Sequence, residues 1–195
     1  LSQCSGIQAV GAQSNFSFPV RDMFDWFREC GGNLEKLRLW GTFHPEMTSV
    51  DAFLRQCGRL REAGVSFCVG AVGVPGQLEL FRELRSRLDG SVYFWINKMD
   101  GLGRPYTAGE RQAWSELDPL FPLELRHIPV DASACGDAVL VQGDGIVRPC
   151  INCHTKMGNL YTDGLAGLAP KICTRGVCGC YLCYGNRSDI QELQM

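Results

Sequence analysis

Residues 65–74 read Val65-Ser66-Phe67-Cys68-Val69-Gly70-Ala71-Val72-Gly73-Val74. Such a near-continuous apolar run is the mark of a parallel strand covered on both faces. The fold is read outward from it. Toward the N-terminus, Gly64 is a helix stop. Before it, Val50, Phe53, Leu54, Cys57 and Leu60 recur at helical spacing. Thr48-Ser49-Val50-Asp51 forms a start resembling a capping box, with Asp in place of Glu or Gln. Residues 36–43 (KLRLWGTF) alternate as a strand does, and Gly31-Gly32 ends a preceding helix. That helix has Pro19 in its first turn, where the missing N–H has no partner anyway. Its apolar face is Met23, Phe24 and Phe27. Residues 6–13 (GIQAVGAQ) form a strand ended by Ser14-Asn15.

Toward the C-terminus, Pro75 opens a helix with Leu78, Phe81, Leu84 and Leu88 facing in, and Asp89-Gly90 is its exit. Residues 91–97 (SVYFWIN) form a fourth strand. The order β-α-β-α-β-α-β predicts a parallel sheet with right-handed crossovers. A Gly-rich turn (Asp100-Gly101-Leu102-Gly103) follows. A short helix then starts at Thr107, with Glu110 completing a capping box. Residues 118–130, broken by Pro119, Pro122 and Pro129, read as a connector that includes His127.

The pattern changes near residue 130, so two domains are expected, 1–130 and 131–195. In the second, Ala138–Gln142 and Ile146–Arg148 flank Gly143-Asp144-Gly145, a strong hairpin signal. With the turn at Asp144-Gly145, Cys150 falls opposite Val139. Cys135 lies roughly 13 Å further along an extended strand.

The chain has 195 residues and a near-neutral balance of 19 basic and 21 acidic side chains. No basic patch points to nucleic acid. No apolar stretch approaches the ~18 residues needed to span a bilayer. There is no secretory leader pattern. A cytoplasmic protein is expected. It begins at Leu1, which reads as a processed chain, a fragment or one piece of a split protein.

Seven of the eleven cysteines fall between Cys135 and Cys183. Thiolates suit zinc, Cu(I) and iron–sulfur clusters. Cys150-x-x-Cys153 and Cys180-x-x-Cys183, with His154, resemble a two-knuckle zinc site. Yet the region holds more cysteines than one zinc needs, and Cys178-x-Cys180 is too tight for an ordinary knuckle. Two ligands from a hairpin plus a C-terminal group suit a polynuclear cluster. Reduced, unliganded thiols are the remaining reading. Cys30, Cys57 and Cys68 sit on apolar faces and are expected in the core. So are Trp26, Trp40, Trp95 and Trp114. His44-Pro45-Glu46 and Pro149-Cys150-x-x-Cys153 match fragments of a zinc-deaminase signature. They are over a hundred residues apart and are read as coincidence.

Together, Cys135…Gly145…Cys150, Gly158-Asn159-Leu160-Tyr161 and the cluster Cys173, Cys178, Cys180 resemble the auxiliary-cluster domain, of SPASM or shorter twitch type, of radical SAM enzymes. On that resemblance the upstream β/α units correspond to the latter part of a partial (β/α)6 barrel. GAQSNFS, LRLWGTFHPEM, VSFCVGAVGV and SVYFWIN would be its strands three to six. The resemblance implies an auxiliary 4Fe–4S cluster held by Cys135, Cys150, Cys173, Cys178 and Cys180. It also implies that Ser14, Asn15, Thr42 and His44 line an S-adenosylmethionine or substrate pocket. The substrate would be a peptide or small molecule, and the reaction hydrogen abstraction. The Cys-x-x-x-Cys-x-x-Cys loop that binds the catalytic cluster is absent from this sequence, as are the first two strands. The resemblance therefore implies an N-terminal fragment or partner chain that supplies them. The alternative, from another class, is a zinc-stabilised binding or structural module with Zn on Cys150, Cys153, Cys180 and Cys183.

Overall fold

A computed structural model describes residues 1–126, 138–172 and 174, and the backbones of 128–129 and 177–178. The chain divides into two compact units, Leu1–Phe121 and Pro122–Met195.

The first unit alternates strands and helices in chain order. These are β1 (Val10–Ser14), α1 (Val20–Glu29), β2 (Leu37–Thr42), α2 (Val50–Glu62), β3 (Ser66–Val72), α3 (Leu78–Arg87), β4 (Phe94–Asn97) and α4 (Ala108–Leu117). All three strand pairings are parallel, and the sheet order is β1-β2-β3-β4. Right-handed crossovers that always step the same way put every helix on one face of the sheet. Consistent with this, α1 packs on α2, α2 on α3 and α3 on α4. The α/β class read from the sequence is thus the observed one, and the winding is sequential.

Between sheet and helices runs a chain of aromatic contacts. Phe16 stacks on Phe53 at 5.7 Å, and Phe53 meets Phe43 at 5.2 Å. Phe43 meets Phe81 at 6.2 Å, and Phe81 meets Trp114 at 5.9 Å. Trp114 meets Phe121 at 6.5 Å, so six large side chains tie β1 to the end of α4. Offset and edge-on ring pairs of this kind add to the burial of apolar area. Asp118 is wholly buried at the far end. It accepts bonds from the Tyr93 hydroxyl at 2.5 Å, Ile96 N at 2.8 Å and Leu120 N at 2.9 Å. Burial pushes its carboxyl pKa up despite these three donors.

Local signals held in part. Thr107 Oγ1 accepts from Glu110 N at 3.2 Å and Glu110 Oε2 from Thr107 N at 2.7 Å, a complete capping box. Gly31 and Gly64 follow the ends of α1 and α2 with φ of 75° and 74°, the left-handed exit that glycine takes without cost. The start of α2 lies one residue later than expected. Ser49, not Thr48, is the cap and accepts from Ala52 N at 3.2 Å. Asp51 instead pairs with Arg87 of α3. Pro75 does not open α3. It sits in a β-turn closed by Gln77 N on Val74 O at 3.1 Å, with Gly76 at φ 93°, and the helix begins at Leu78. Proline then glycine at the two central positions is the pattern of a type II turn. β1 begins at Val10, later than the apolar pattern implied, and Gly11, Ala12 and Gln13 are exposed. Trp26 is 64% exposed and Met23 39%, so neither belongs to the core as expected. Cys30 is exposed too.

In the second unit α5 (Phe121–Glu124) leads from the first, and β5 (Ile128–Pro129) is antiparallel to β9 (Val177–Cys178). A separate antiparallel sheet contains β6 (Leu140–Val141), β7 (Ile146–Arg148) and β8 (Gly158–Asn159), followed by α6 (Leu160–Asp163). No helix among the described residues is long and apolar enough to cross a membrane.

Candidate functional site

Two places carry the residues singled out in the sequence. The first is at the carboxyl ends of β1 and β2, where open and barrel α/β sheets bind ligands. Ser14 Oγ accepts from Phe16 N at 3.0 Å and Asn15 Oδ1 from Ser17 N at 3.1 Å, two successive side-chain turns. They throw Phe16 into φ 58°, a conformation foreign to a bulky side chain. The ring is nevertheless only 1% exposed. It lies against Gly41, where a Cβ would come within 2.0 Å of it. Gln56 of α2 clamps the loop, donating to Phe16 O at 2.8 Å and Phe18 O at 2.9 Å. A strained residue held from both sides is a feature that marks functional loops.

Beside this loop is a cleft of about 170 Å³, lined in part by Asn15, Ser17, His44, Thr48 and Gln56. His44 Nδ1 lies 3.3 Å from Glu46 Oε1. Of the four expected pocket residues, the cleft thus unites Asn15 and His44. Ser14 spends its hydroxyl on the turn. Thr42 alternates with Gly41 and Phe43 and faces the other side of the sheet. There its Oγ1 accepts from Gln13 Nε2 at 3.5 Å. By register, Trp40, Cys68 and Asn97 share that side. Trp95 does as well, its ring laid over Gly70, where a Cβ would meet it at 1.9 Å. No sequence signal pointed to Gln56 or to the Phe16 geometry, since both depend on α2 crossing the end of β1.

The second place is the cysteine hairpin. Its register is one residue off from that expected. Gly145 N donates to Gln142 O at 2.9 Å, and Gln142 N donates to Ile146 O at 2.9 Å. Gly145 at φ 84° forms the bulge of a three-residue loop. Leu140 pairs with Arg148, so continuing the ladder by two residues sets Cys150 opposite Ala138 rather than Val139. The GNLYTDG segment braces this turn. Asn159 Nδ2 donates to Asp144 O at 2.9 Å, and Asp163 Oδ2 accepts from Asn159 N at 2.8 Å.

After β7 the chain turns back at once. Cys153 N donates to Cys150 O at 3.2 Å, and the two cysteines form a β-bridge. Cys150 is half-buried and Cys153 fully buried, both as free thiols. Its Sγ lies 3.7 Å from Thr155 Oγ1 and 3.7 Å from the Ile172 carbonyl oxygen. The Thr155 and Thr174 hydroxyls are 3.5 Å apart. Burial pushes the Cys153 thiol up. The backbone N–H groups of Thr174 and Thr155, with both hydroxyls, outweigh that and lower it to about 7. At two other thiols burial outweighs the donors present: it lifts Cys57 to about 12 and, despite a hydrogen bond from Trp95, Cys68 to about 11.

Cys135, Cys173 and Cys180 lie outside the described residues, as do Cys183 and His127. Of Cys178 only the strand backbone is described. Ile172 and Thr174, the sequence neighbours of Cys173, both lie against the Cys153 sulfur. Among the described residues no group of three or more His, Cys, Asp or Glu side chains is placed to hold a metal. The Cys153 thiol donates to Thr155 Oγ1 and to the Ile172 carbonyl oxygen, and with Cys150 in the same turn it gives two sulfurs of the kind that suit a thiophilic metal. Compared with models of known families, with curated proteins and with solved structures, the chain finds no match.

Proposed function

We propose that this chain is the C-terminal portion of a radical SAM enzyme: a partial (β/α) barrel followed by a cysteine-rich auxiliary domain of SPASM or twitch type. The observation that carries the reading is the hairpin that ends in Cys150, its turn braced by the Gly158-Asn159 segment. Cys135, Cys150, Cys173, Cys178 and Cys180 are the proposed ligands of an auxiliary 4Fe–4S cluster. Bound there, the cluster would ligate substrate or accept an electron. Sequential winding of the sheet, with all helices on one face, supports the barrel assignment.

Asn15 and His44 in the cleft are the proposed S-adenosylmethionine or substrate contacts; Ser14, which caps the Phe16 turn, and Thr42, on the opposite side of the sheet, belong to the same expected set but lie outside that cleft. The substrate is a peptide or small molecule from which hydrogen is abstracted. The Cys-x-x-x-Cys-x-x-Cys cluster that generates the radical comes from an N-terminal fragment or partner chain. The exposed β1 is the edge on which that part docks, since a parallel edge leaves backbone groups for a further strand. A cytoplasmic location belongs to the same proposal.

A second reading is a zinc-stabilised, non-catalytic module, favoured by the Cys150–Cys153 turn, which is also the geometry of a zinc knuckle. Iron, acid-labile sulfide and zinc content of anaerobically purified protein, with its absorption spectrum, separates the two. About four irons and four sulfides per chain, with a visible band that dithionite bleaches, supports the cluster. Stoichiometric zinc with no iron after anaerobic reconstitution sinks it.

A further inference from the structure

Read from the sequence, His44-Pro45-Glu46 is a chance match to part of another signature. The fold gives it a different use. His44, Pro45, Glu46 and Met47 form one β-turn after β2. Met47 N donates to His44 O at 2.9 Å, and Thr48 N donates to the same oxygen at 3.1 Å. Proline at the second position fixes the backbone of such a turn. The turn carries Glu46 back to the imidazole, with His44 Nδ1 3.3 Å from Glu46 Oε1. A carboxylate beside Nδ1 holds the ring proton on that nitrogen and fixes the ring. Nε2 is then the bare nitrogen of a side chain that lines the cleft.

The other walls are informative by what their polar atoms already do. Gln56 Nε2 donates to Phe16 O and Phe18 O, and its Oε1 accepts from Arg59 Nη1 at 2.8 Å. It shapes the cleft and offers nothing further. Asn15 spends Oδ1 on Ser17 N, which leaves the two donors of its Nδ2. Ser17 and Thr48 add hydroxyls. Among the described residues neither Lys nor Arg lines the cleft. A phosphate or carboxylate would find no cation there and would meet the Glu46 carboxylate beside His44, a like-charge contact that selects against it. One acceptor and one donor suit a hydroxyl, which donates to the first and accepts from the second. Both walls are held without a ligand, one by the Phe16 turn clamped on Gly41 and Gln56, the other by the Pro45 turn.

We propose that this cleft takes a neutral, hydroxyl-bearing ligand, with His44 Nε2 as the acceptor of the ligand O–H and Asn15 Nδ2 as the donor to it. Glu46 is a positioning residue that acts through the His44 ring. The proposal rests on the reading of this cleft as a ligand site, and it adds the class of ligand and the role of Glu46.

The test uses the full chain labelled with ¹⁵N. Long-range proton–nitrogen correlations of the imidazole rings show which nitrogen is bare, at a pH about two units above the ordinary histidine value. The chain has three histidines, so His44→Gln assigns the signal. Wild type is compared with Glu46→Ala, Glu46→Gln and, as a control at an exposed acid, Glu29→Ala. The Phe16 amide reports that the loop is intact. Glycerol, ribose and adenosine are then titrated at millimolar concentration against glycerol phosphate, ribose 5-phosphate and adenosine monophosphate.

The expected wild-type ring is protonated at Nδ1 and bare at Nε2. Glu46→Ala should invert that ratio, Glu46→Gln should lie between, and Glu29→Ala should match wild type. The neutral compounds should shift the His44 Nε2 and Asn15 Nδ2 signals, with the phosphates binding roughly 10-fold more weakly. A wild-type ring bare at Nδ1, or a ratio unchanged by Glu46→Ala, overturns the role of Glu46. Phosphates that bind as well as the neutral compounds, or neutral compounds that shift neither signal, overturn the ligand class. A chain that holds iron and sulfide but fails here keeps the cluster reading and loses this inference. A chain that holds zinc alone and passes here does the reverse.

Discussion

Cys57 and Cys153 are both shut away from water, and they answer burial in opposite ways. Cys57 is on the inner face of α2, and desolvation raises it to about 12. Cys153 is in a tight turn against Thr155 and Ile172, and hydrogen bonding from Thr174 and Thr155 outweighs burial and lowers it to about 7. Burial by itself penalises charge, and local donors decide whether the penalty is met. The first unit has an aromatic interior into which Cys57 is packed, while Cys4 and Cys30 are exposed. Among the described residues of the second unit, the buried apolar side chains include Leu123, Val147, Cys153 and Met157. For small domains a bound metal is one of the usual further sources of stability.

The largest expected effect tests that dependence. Chelation should strip hydrogen-exchange protection from the Val147 and Met157 amides while leaving those of β3 unchanged. Structural metals can supply on the order of 10 kcal/mol of folding free energy, so the hairpin should open outright. Equal protection with and without chelator would show that the hairpin stands on its own side chains.

Next is the aromatic chain of the first unit. Phe43→Ala should cost about 3–5 kcal/mol in urea unfolding, since Phe43 is 2% exposed and bridges Phe53 and Phe81. Metal content should not change. A loss of metal in this variant would mean that the two units depend on each other.

A smaller effect follows from the inert thiols. Below about pH 9 neither Cys57 nor Cys68 ionises in either state. Above it the unfolded thiols lose protons that the folded ones keep until about 12 and 11. The folded state then binds more protons, so stability falls as pH rises through this window, by roughly 1.4 kcal/mol per pH unit for each thiol at most. Cys57→Ala should flatten the slope of urea midpoint against pH between 9 and 11. An unchanged slope would show that Cys57 is not the group responsible.

The smallest effect lies at the surface. Thr107→Ala should cost about 1 kcal/mol by thermal melting, as loss of a helix cap does. Glu110, its capping partner, is held down to about 2 by hydrogen bonds from Arg104 first and Thr107 second. A depressed carboxyl contributes stability above its unfolded value near 4.5, lost as pH falls toward 2. Glu110→Gln should remove that acid-side slope.

Much of the first unit was legible because its signals are local. Apolar period, the Thr107-x-x-Glu110 box and the glycine exits act within a few residues, and the α/β alternation followed from them. Errors arose where one local signal had two outlets. Pro75 suits a helix start and a type II turn alike, and Gly76 with Val74 chose the turn. Thr48 and Ser49 are equally good caps, and Arg87, brought by α3, drew Asp51 away from that role. Trp26 and Cys30 have the composition of core residues, yet they lie on an exposed part of the edge helix. Hydrophobicity cannot say which helix has a neighbour.

By itself, then, the sequence determined the alternation of strands and helices, the hairpin at Gly143-Asp144-Gly145 and the crowding of thiols after it. Each is a matter of short-range sterics and hydrogen bonding. Tertiary structure decided the strained turn at Phe16, which needs Gly41 and Gln56 from two other elements. It also decided the surroundings of Cys153. Thr174 is twenty-one residues beyond that sulfur in the chain and is brought to it only by the path through α6. Spacing tells which cysteines share a turn, but the charge a buried sulfur can carry depends on donors that arrive from elsewhere in the fold.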